Sequence, residues 1–140
     1  MNRTFTNRDL AFITGKSIGT IRALPSTTLC LPSYPPREPD FITRWSFDDL
    51  VGVYLFFTIV QGGISREYAG EAINGTDVIK AFQIDSPPDF VIFIEKDGGE
   101  WAPRVTAEGM ALLSKFQYAQ ARVFNLKYYK QAFEERIAKL

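Results

Sequence analysis

The sequence predicts an α+β protein in two parts: a mainly helical segment over residues 1–85 and a small mixed α/β module over residues 86–140. Three observations lead there. Hydroxyl-plus-acid starts at Thr6-Asn7-Arg8-Asp9 and Ser46-Phe47-Asp48-Asp49 are helix N-terminus signals in the first part. Ser86-Pro87-Pro88 marks the boundary between the parts. Beyond it, Phe90-Val91-Ile92-Phe93-Ile94 is an unbroken β-branched and aromatic run, which reads as a buried strand ending in the turn residues Asp97-Gly98-Gly99.

The elements follow in order. From its cap at Thr6, the first helix carries Leu10, Phe12 and Ile13 on an apolar stripe and stops at Gly15. Ser17 caps a second short helix through Ile18, Ile21 and Leu24, which Pro25 is expected to end. Five prolines between Pro25 and Pro39 make the next stretch extended or looped, with short strands expected near Thr28–Leu31 and Phe41–Trp45. A third helix runs from its Ser46 cap to about Gln61. Its apolar residues cover nearly every side, whereas a surface helix shows one stripe, so it should be central to the protein or its dimer. Gly62-Gly63 breaks it, and Ser65 caps a fourth helix through Tyr68, Ala69, Ala72 and Ile73. A turn at Asn74-Gly75 and a short helix around Asp77–Phe82 follow. In the second part, Thr106 to about Tyr118 is helical in composition, Arg122–Leu126 suits a strand beside the first, and Leu126, Tyr129, Phe133, Ile137 and Leu140 form the stripe of a last amphipathic helix.

Composition removes several function classes. With 140 residues there is room for one domain or two small ones sharing a core. The chain has no histidine and a single cysteine, Cys30, so the commonest general base, the commonest metal ligand and any internal disulfide are missing. A reducing, cytoplasmic setting is expected, because the N-terminus lacks a signal-like apolar run. The longest uncharged stretch, Leu50 to Ser65, is broken by three glycines and falls short of the ~20 apolar residues a membrane span needs. Formal net charge is zero, and the only basic concentration is N-terminal, where Arg3, Arg8, Lys16 and Arg22 face Asp9 alone. Nucleic-acid binding must therefore rest on geometry rather than on bulk charge.

That geometry is present. In a window beginning at Asn7, Ala11, Gly15, Ile21 and Leu24 stand at the fifth, ninth, fifteenth and eighteenth places. A helix-turn-helix needs a small residue at the fifth so that its helices can close, and glycine at the ninth where the chain turns through positive φ. Aliphatic residues at the last two places pack the second helix on the first. Such a helix presents Lys16, Ser17, Gly19, Thr20 and Arg22 outward.

The string Thr14-Gly15-Lys16-Ser17-Ile18-Gly19-Thr20-Ile21-Arg22, a loop with Leu31-Pro32, Arg44-Trp45-Ser46-Phe47-Asp48-Asp49-Leu50 and a closing Gly63-Ile64-Ser65 follow in sequence. Over about residues 4–80 this order resembles the winged helix-turn-helix DNA-binding domain of MerR-like transcriptional regulators. The chain differs from that pattern in Ala23-Leu24 after Arg22, where aromatic residues are usual, and in a wing whose only cation between Pro32 and Asp40 is Arg37. It also lacks the cysteine cluster of metal-sensing members and a long coiled-coil helix. The resemblance implies a homodimer on two-fold-related half-sites of double-stranded DNA. Phosphate contacts are expected from Arg8, Thr20, Arg37 and Arg44, base reading from Ser17, Gly19 and Arg22, and Lys16 belongs to the same face. Arg44 can equally serve as a structural partner of Asp48 or Asp49.

The function expected is a DNA-binding repressor-like regulator, without catalysis and with no cofactor or metal. Residues 86–140 are expected to carry the dimer contact. The alternative is the antitoxin of a toxin–antitoxin-type pair, in which residues 86–140 bind a protein partner. Enzyme motifs do not survive inspection. Gly15-Lys16-Ser17 imitates the end of a phosphate-binding loop, but Leu10 stands where its first glycine belongs. Asp48-Asp49 and Glu134-Glu135 are adjacent pairs whose members diverge on a helix.

Overall fold

The computed structural model describes residues 3–27, 30–33, 35–37, 40–75, 77–83, 90–95, 101–106 and 120–140. The described chain is mostly helical, with six helices and one small antiparallel sheet.

Local chemistry sets the first turn of the fold. Helix α1 (Asn7–Thr14) begins at a reciprocal capping box: the Asp9 N–H donates to the Thr6 hydroxyl at 3.2 Å, and the Thr6 N–H donates to the Asp9 carboxylate at 2.9 Å. It ends at Gly15, whose φ of 71° is left-handed and whose N–H donates to the Ala11 carbonyl at 2.9 Å. Helix α2 (Ile18–Thr27) starts where the Ser17 hydroxyl accepts from the Thr20 N–H at 3.1 Å. It does not stop at Pro25 as expected. Pro25 supplies no N–H to the Ile21 carbonyl, but it lies in the last turn, where the Ser26 and Thr27 hydroxyls donate to the Ala23 and Leu24 carbonyls at 2.7 and 2.6 Å.

The expected strand near Thr28–Leu31 falls largely outside the described residues. Among those described between α2 and the next helix, β pairing is confined to one antiparallel bridge, with Phe5 and Trp45 exchanging N–H···O bonds of 2.8 Å each. Among the described residues the two strands of a wing are therefore not formed. Pro32, Pro35 and Pro36 cannot donate to a ladder, and the residues described around them are loop. Trp45 is fully buried, and its indole N–H donates to the Asn7 side chain at 2.8 Å, tying the loop's end to the start of α1.

Helix α3 (Phe47–Gln61) has the central place its composition requires. A second capping box, Ser46 with Asp49, opens it, and every residue from Leu50 to Phe57 is buried. Gly62 closes it, with its N–H on the Thr58 and Ile59 carbonyls; a Cβ there would run into the Phe124 ring. Helices α4 (Arg66–Gly75) and α5 (Val78–Gln83) pack on α3 at Gly52, where an added Cβ would lie 3.2 Å from Ile79 and 3.4 Å from Ile73. The turn expected at Asn74-Gly75 is the last turn of α4 instead. Ala69, Ala72 and Ile73 are buried and anchor it, outweighing a propensity loss of about 1 kcal/mol.

The sheet has β1 (Phe90–Glu95) at its centre, with β2 (Trp101–Thr106) and β3 (Ala121–Asn125) antiparallel on either side. Strands β1 and β3 match the sequence reading, but β2 was not anticipated. Its Pro103 argues against a strand, yet sits opposite Phe93 in an edge strand, where a missing donor is tolerated. The helix expected over Thr106–Tyr118 loses its first residue to β2, and the rest lies outside the described residues, as does the Ser86-Pro87-Pro88 boundary.

Helix α6 (Leu126–Ile137) follows β3 directly, capped by the Asn125 side chain, which accepts from the Tyr128 N–H at 3.1 Å. It is built into the N-terminal core. The Phe133 ring lies 5.1, 5.5 and 6.0 Å from the rings of Tyr54, Phe82 and Phe47. The Tyr54 hydroxyl donates to the Tyr129 carbonyl at 3.1 Å, and the Arg136 guanidinium to the Ile13 carbonyl at 2.6 Å. Leu126 and Phe133 of the α6 stripe are thus buried, Tyr129 and Ile137 half-buried and Leu140 exposed, and α6 shares one core with the N-terminal helices.

Phe133→Ala should lower unfolding free energy by about 3–5 kcal/mol, the range for deleting a buried phenyl ring. Urea denaturation followed by circular dichroism measures it. A loss of stability comparable to a surface substitution would show that α6 is not integral to the core.

Candidate nucleic-acid interface

The α1–α2 hairpin follows from two anchors. Ile21 and Leu24 are buried on one side of α2, and Ala11 packs partly buried on the same core from α1. With those side chains inward, helical spacing puts Ile18, Gly19, Arg22 and Ala23 outward, and all four are exposed. Ser17 is also exposed, but its hydroxyl is bonded to that of half-buried Thr20 at 2.9 Å and caps the helix. These two hydroxyls are engaged locally before any ligand arrives.

Lys16, expected on the outward face, instead turns back onto α3. It is half-buried, with its Nζ 5.4 Å from the centroid of the Phe57 ring. The long apolar stem and the cation–aromatic attraction both favour that position over extension into water.

Outside the α2 face lies an open groove of about 450 Å³. The N-terminal turn of α1 supplies Asn7 and Arg8, α2 supplies Ile18 and Arg22, and the loop before α3 supplies Pro36, Phe41 and Ile42. No carboxylate lines it, and neither arginine is ion-paired among the described residues. Of the residues expected from sequence to contact DNA, Arg8 and Arg22 share this groove. Ser17 precedes α2 and caps it, Gly19 and Thr20 lie in its first turn, and Arg37 and Arg44 belong to the loop but not to the groove wall.

The loop is held by a compact set of bonds. Arg44 pairs with Asp40 at 2.8 Å, not with Asp48 or Asp49, which are occupied elsewhere. Asp49 accepts from the Ser33 and Ser46 N–H groups at 2.7 and 2.8 Å, and Asp48 from the Gln83 amide at 2.8 Å. The Arg44 side-chain bond, with a second bond from the Ile42 N–H at 3.1 Å, holds the Asp40 carboxyl below its usual range. Between these anchors Phe41 adopts φ 54°, a left-handed conformation that costs a bulky residue about 1–3 kcal/mol. Its ring is nevertheless 62% exposed, and Ile42 beside it is 47% exposed. Sequence reasoning placed Phe41–Trp45 as a strand and did not single out Ile18, Phe41 or Ile42. Two adjacent large apolar residues in a proline-rich, polar loop were the available signal.

Elsewhere, Cys30 is buried beneath α3, and burial, then the nearby Asp49 charge, pushes its thiol up to about 12. Among the described residues no cluster of Cys, Asp or Glu could hold a metal ion, and no helix is long and apolar enough to cross a membrane. Scanned against family models and searched against curated proteins, the chain finds no match.

Cys30 should resist a thiol reagent at pH 8 in the folded protein and react at an ordinary rate once denatured. Because its folded pKa is raised from 9.0 to about 12, the folded state retains a proton that the unfolded state releases. That contribution is complete below pH 9 and is lost as pH rises through 12, so stability should fall across this window in the wild type and less in Cys30→Ala. Urea midpoints measured between pH 8 and pH 10.5 check it.

Proposed function

We propose that the protein is a DNA-binding transcriptional regulator that acts as a homodimer on a two-fold-related operator, its N-terminal part working as a helix-turn-helix. The observation that carries this reading is the exposed face of α2: held to the core through buried Ile21 and Leu24, it offers Gly19 and Arg22 to a partner beside a groove in which, among the described residues, two arginines meet no carboxylate. A helix of this size fits the ≈ 12 Å major groove of B-DNA.

In this reading Arg22 donates its planar fork to a guanine edge or a phosphate, and Gly19, having no side chain, allows close approach of the helix. Arg8, beside the N-terminus of α1, takes a phosphate, where the helix dipole adds to its charge. Ser17 and Thr20 contribute through the oxygen lone pairs left by their mutual bond. Arg37 and Arg44 supply positive potential from the loop, Arg44 only in part because Asp40 neutralises it. Lys16 adds charge at the hairpin without reaching the groove. A neutral chain with so few cations at the contact binds duplex DNA weakly as a monomer, and two copies on paired half-sites are the economical solution. Leu126 and Phe133 of the α6 stripe are buried within the chain, which leaves Leu140 and the exposed Tyr128 and Val123 as apolar surface for a second copy.

Enrichment of duplexes from random-sequence DNA by the full chain tests the reading, with binding followed by fluorescence anisotropy across salt concentration. Salt-sensitive binding to an enriched two-fold sequence is expected, and no enrichment would overturn it. Arg22→Ala should leave the melting temperature unchanged while weakening binding to that sequence by about 1–3 kcal/mol. Sedimentation of the full chain, alone and with DNA, decides the homodimer. The full chain is required because a 1–85 fragment lacks Phe133 and would open the aromatic core.

A further inference from the structure

Phe41 combines two unfavourable features that nothing within the described chain repays. It is the only non-glycine among the described residues with positive φ, and it holds a phenyl ring in water. A glycine or asparagine would adopt this backbone with less strain and expose no ring.

The loop nevertheless enforces the arrangement. The Phe41 N–H donates to the Arg37 carbonyl at 2.9 Å, the Ile42 N–H to Asp40 at 3.1 Å, and Arg44 clamps the second Asp40 oxygen at 2.8 Å. The result is a hydrogen-bonded projection with two apolar side chains at its tip. That tip shares its groove with Arg8, Arg22 and Ile18. Asp40, its neighbour in sequence, is paired with Arg44.

An aromatic ring flanked by guanidinium groups that, among the described residues, meet no carboxylate matches a ligand that offers flat apolar faces between regularly spaced anions. Duplex DNA has that structure: a base step is an aromatic slot bordered by phosphates. Apolar side chains that enter such slots unstack the step and bend the duplex, and stiff loops suit the task because little ordering remains to be done on binding.

Resting on the DNA-binding reading, we propose that Phe41, backed by Ile42, is a wedge that enters a base step of the bound duplex while Arg8 and Arg22 hold the flanking phosphates. The Asp40–Arg44 pair is then a positioning device: it fixes the backbone that aims the ring and need not itself touch DNA.

The probe is a duplex enriched from random-sequence DNA by the full chain, carrying 2-aminopurine in place of one adenine at a time. This base brightens when unstacked. Saturating wild-type protein should raise its fluorescence several-fold at one or two adjacent positions and nowhere else. Phe41→Ala and Phe41→Asn should bind the same duplex about tenfold or more weakly and, at saturation, leave the fluorescence at the level of free DNA. Both variants should melt no lower than wild type, Phe41→Asn somewhat higher because asparagine tolerates the left-handed backbone. Asp40→Asn should retain the ring but blunt the signal.

Wild-type binding with no bright position, or equal brightness with Phe41→Ala, would overturn the wedge while leaving the regulator reading in place. Loss of self-association in Phe41→Ala with a silent probe would overturn it too, and assign the ring to a protein contact. Failure of the wild type to enrich any DNA would overturn both proposals.

Discussion

Helix α3 buries every residue from Leu50 to Phe57, so it must be covered from all directions, and the other helices are arranged by that demand. Helix α1 packs along it on one side and α4 and α5 on another, the latter two approaching closely because Gly52 carries no side chain. Helix α6 contributes Phe133 to a cluster with Phe47, Tyr54 and Phe82, although 50 residues or more separate it from each in sequence. A surface helix with one apolar stripe could be satisfied by a single neighbour. A helix apolar all round cannot, and this requirement makes one core of what the sequence divides into two segments.

The candidate interface is a by-product of that arrangement. Helix α2 touches the core through few side chains, because α1 already occupies the nearby flank of α3. Its opposite face is left to water. Gly15 lets the hairpin close through a three-residue turn, residues 15–17, and the Trp45 indole bond to Asn7 brings the loop before α3 alongside the start of α1. The groove forms where these three pieces meet. Among the described residues its wall carries two arginines and no carboxylate, although the chain as a whole is neutral.

Most helix starts were legible in the sequence because capping is a local interaction. Thr6 with Asp9 and Ser46 with Asp49 are three residues apart, and their bonds form whatever the rest of the chain does. Gly15 was readable for the same reason, its left-handed φ being a property of one residue. Strands β1 and β3 were visible as runs of β-branched and aromatic residues. Strand β2 was hidden by Pro103, whose tolerance depends on being at an edge, and Pro25 and Gly75 were read as helix stops although neighbouring contacts carry α2 and α4 past them.

What the amino-acid sequence determined alone is therefore the set of elements whose energetics close within about one turn: the capped helices, the glycine hinge, the apolar stripe of α6 and the lack of histidine chemistry. Tertiary structure decided which charges remain available and where apolar groups end up. Lys16 lies on Phe57, 41 residues away, and Arg44 takes Asp40 rather than the equally near Asp48 because Asp48 is already bonded to Gln83. Phe41 is driven into its strained, exposed conformation by anchors on both sides of it, and Arg136 reaches the carbonyl of Ile13 across 123 residues. Such choices compare competing partners distributed through the folded chain, and no short stretch of sequence contains all the competitors.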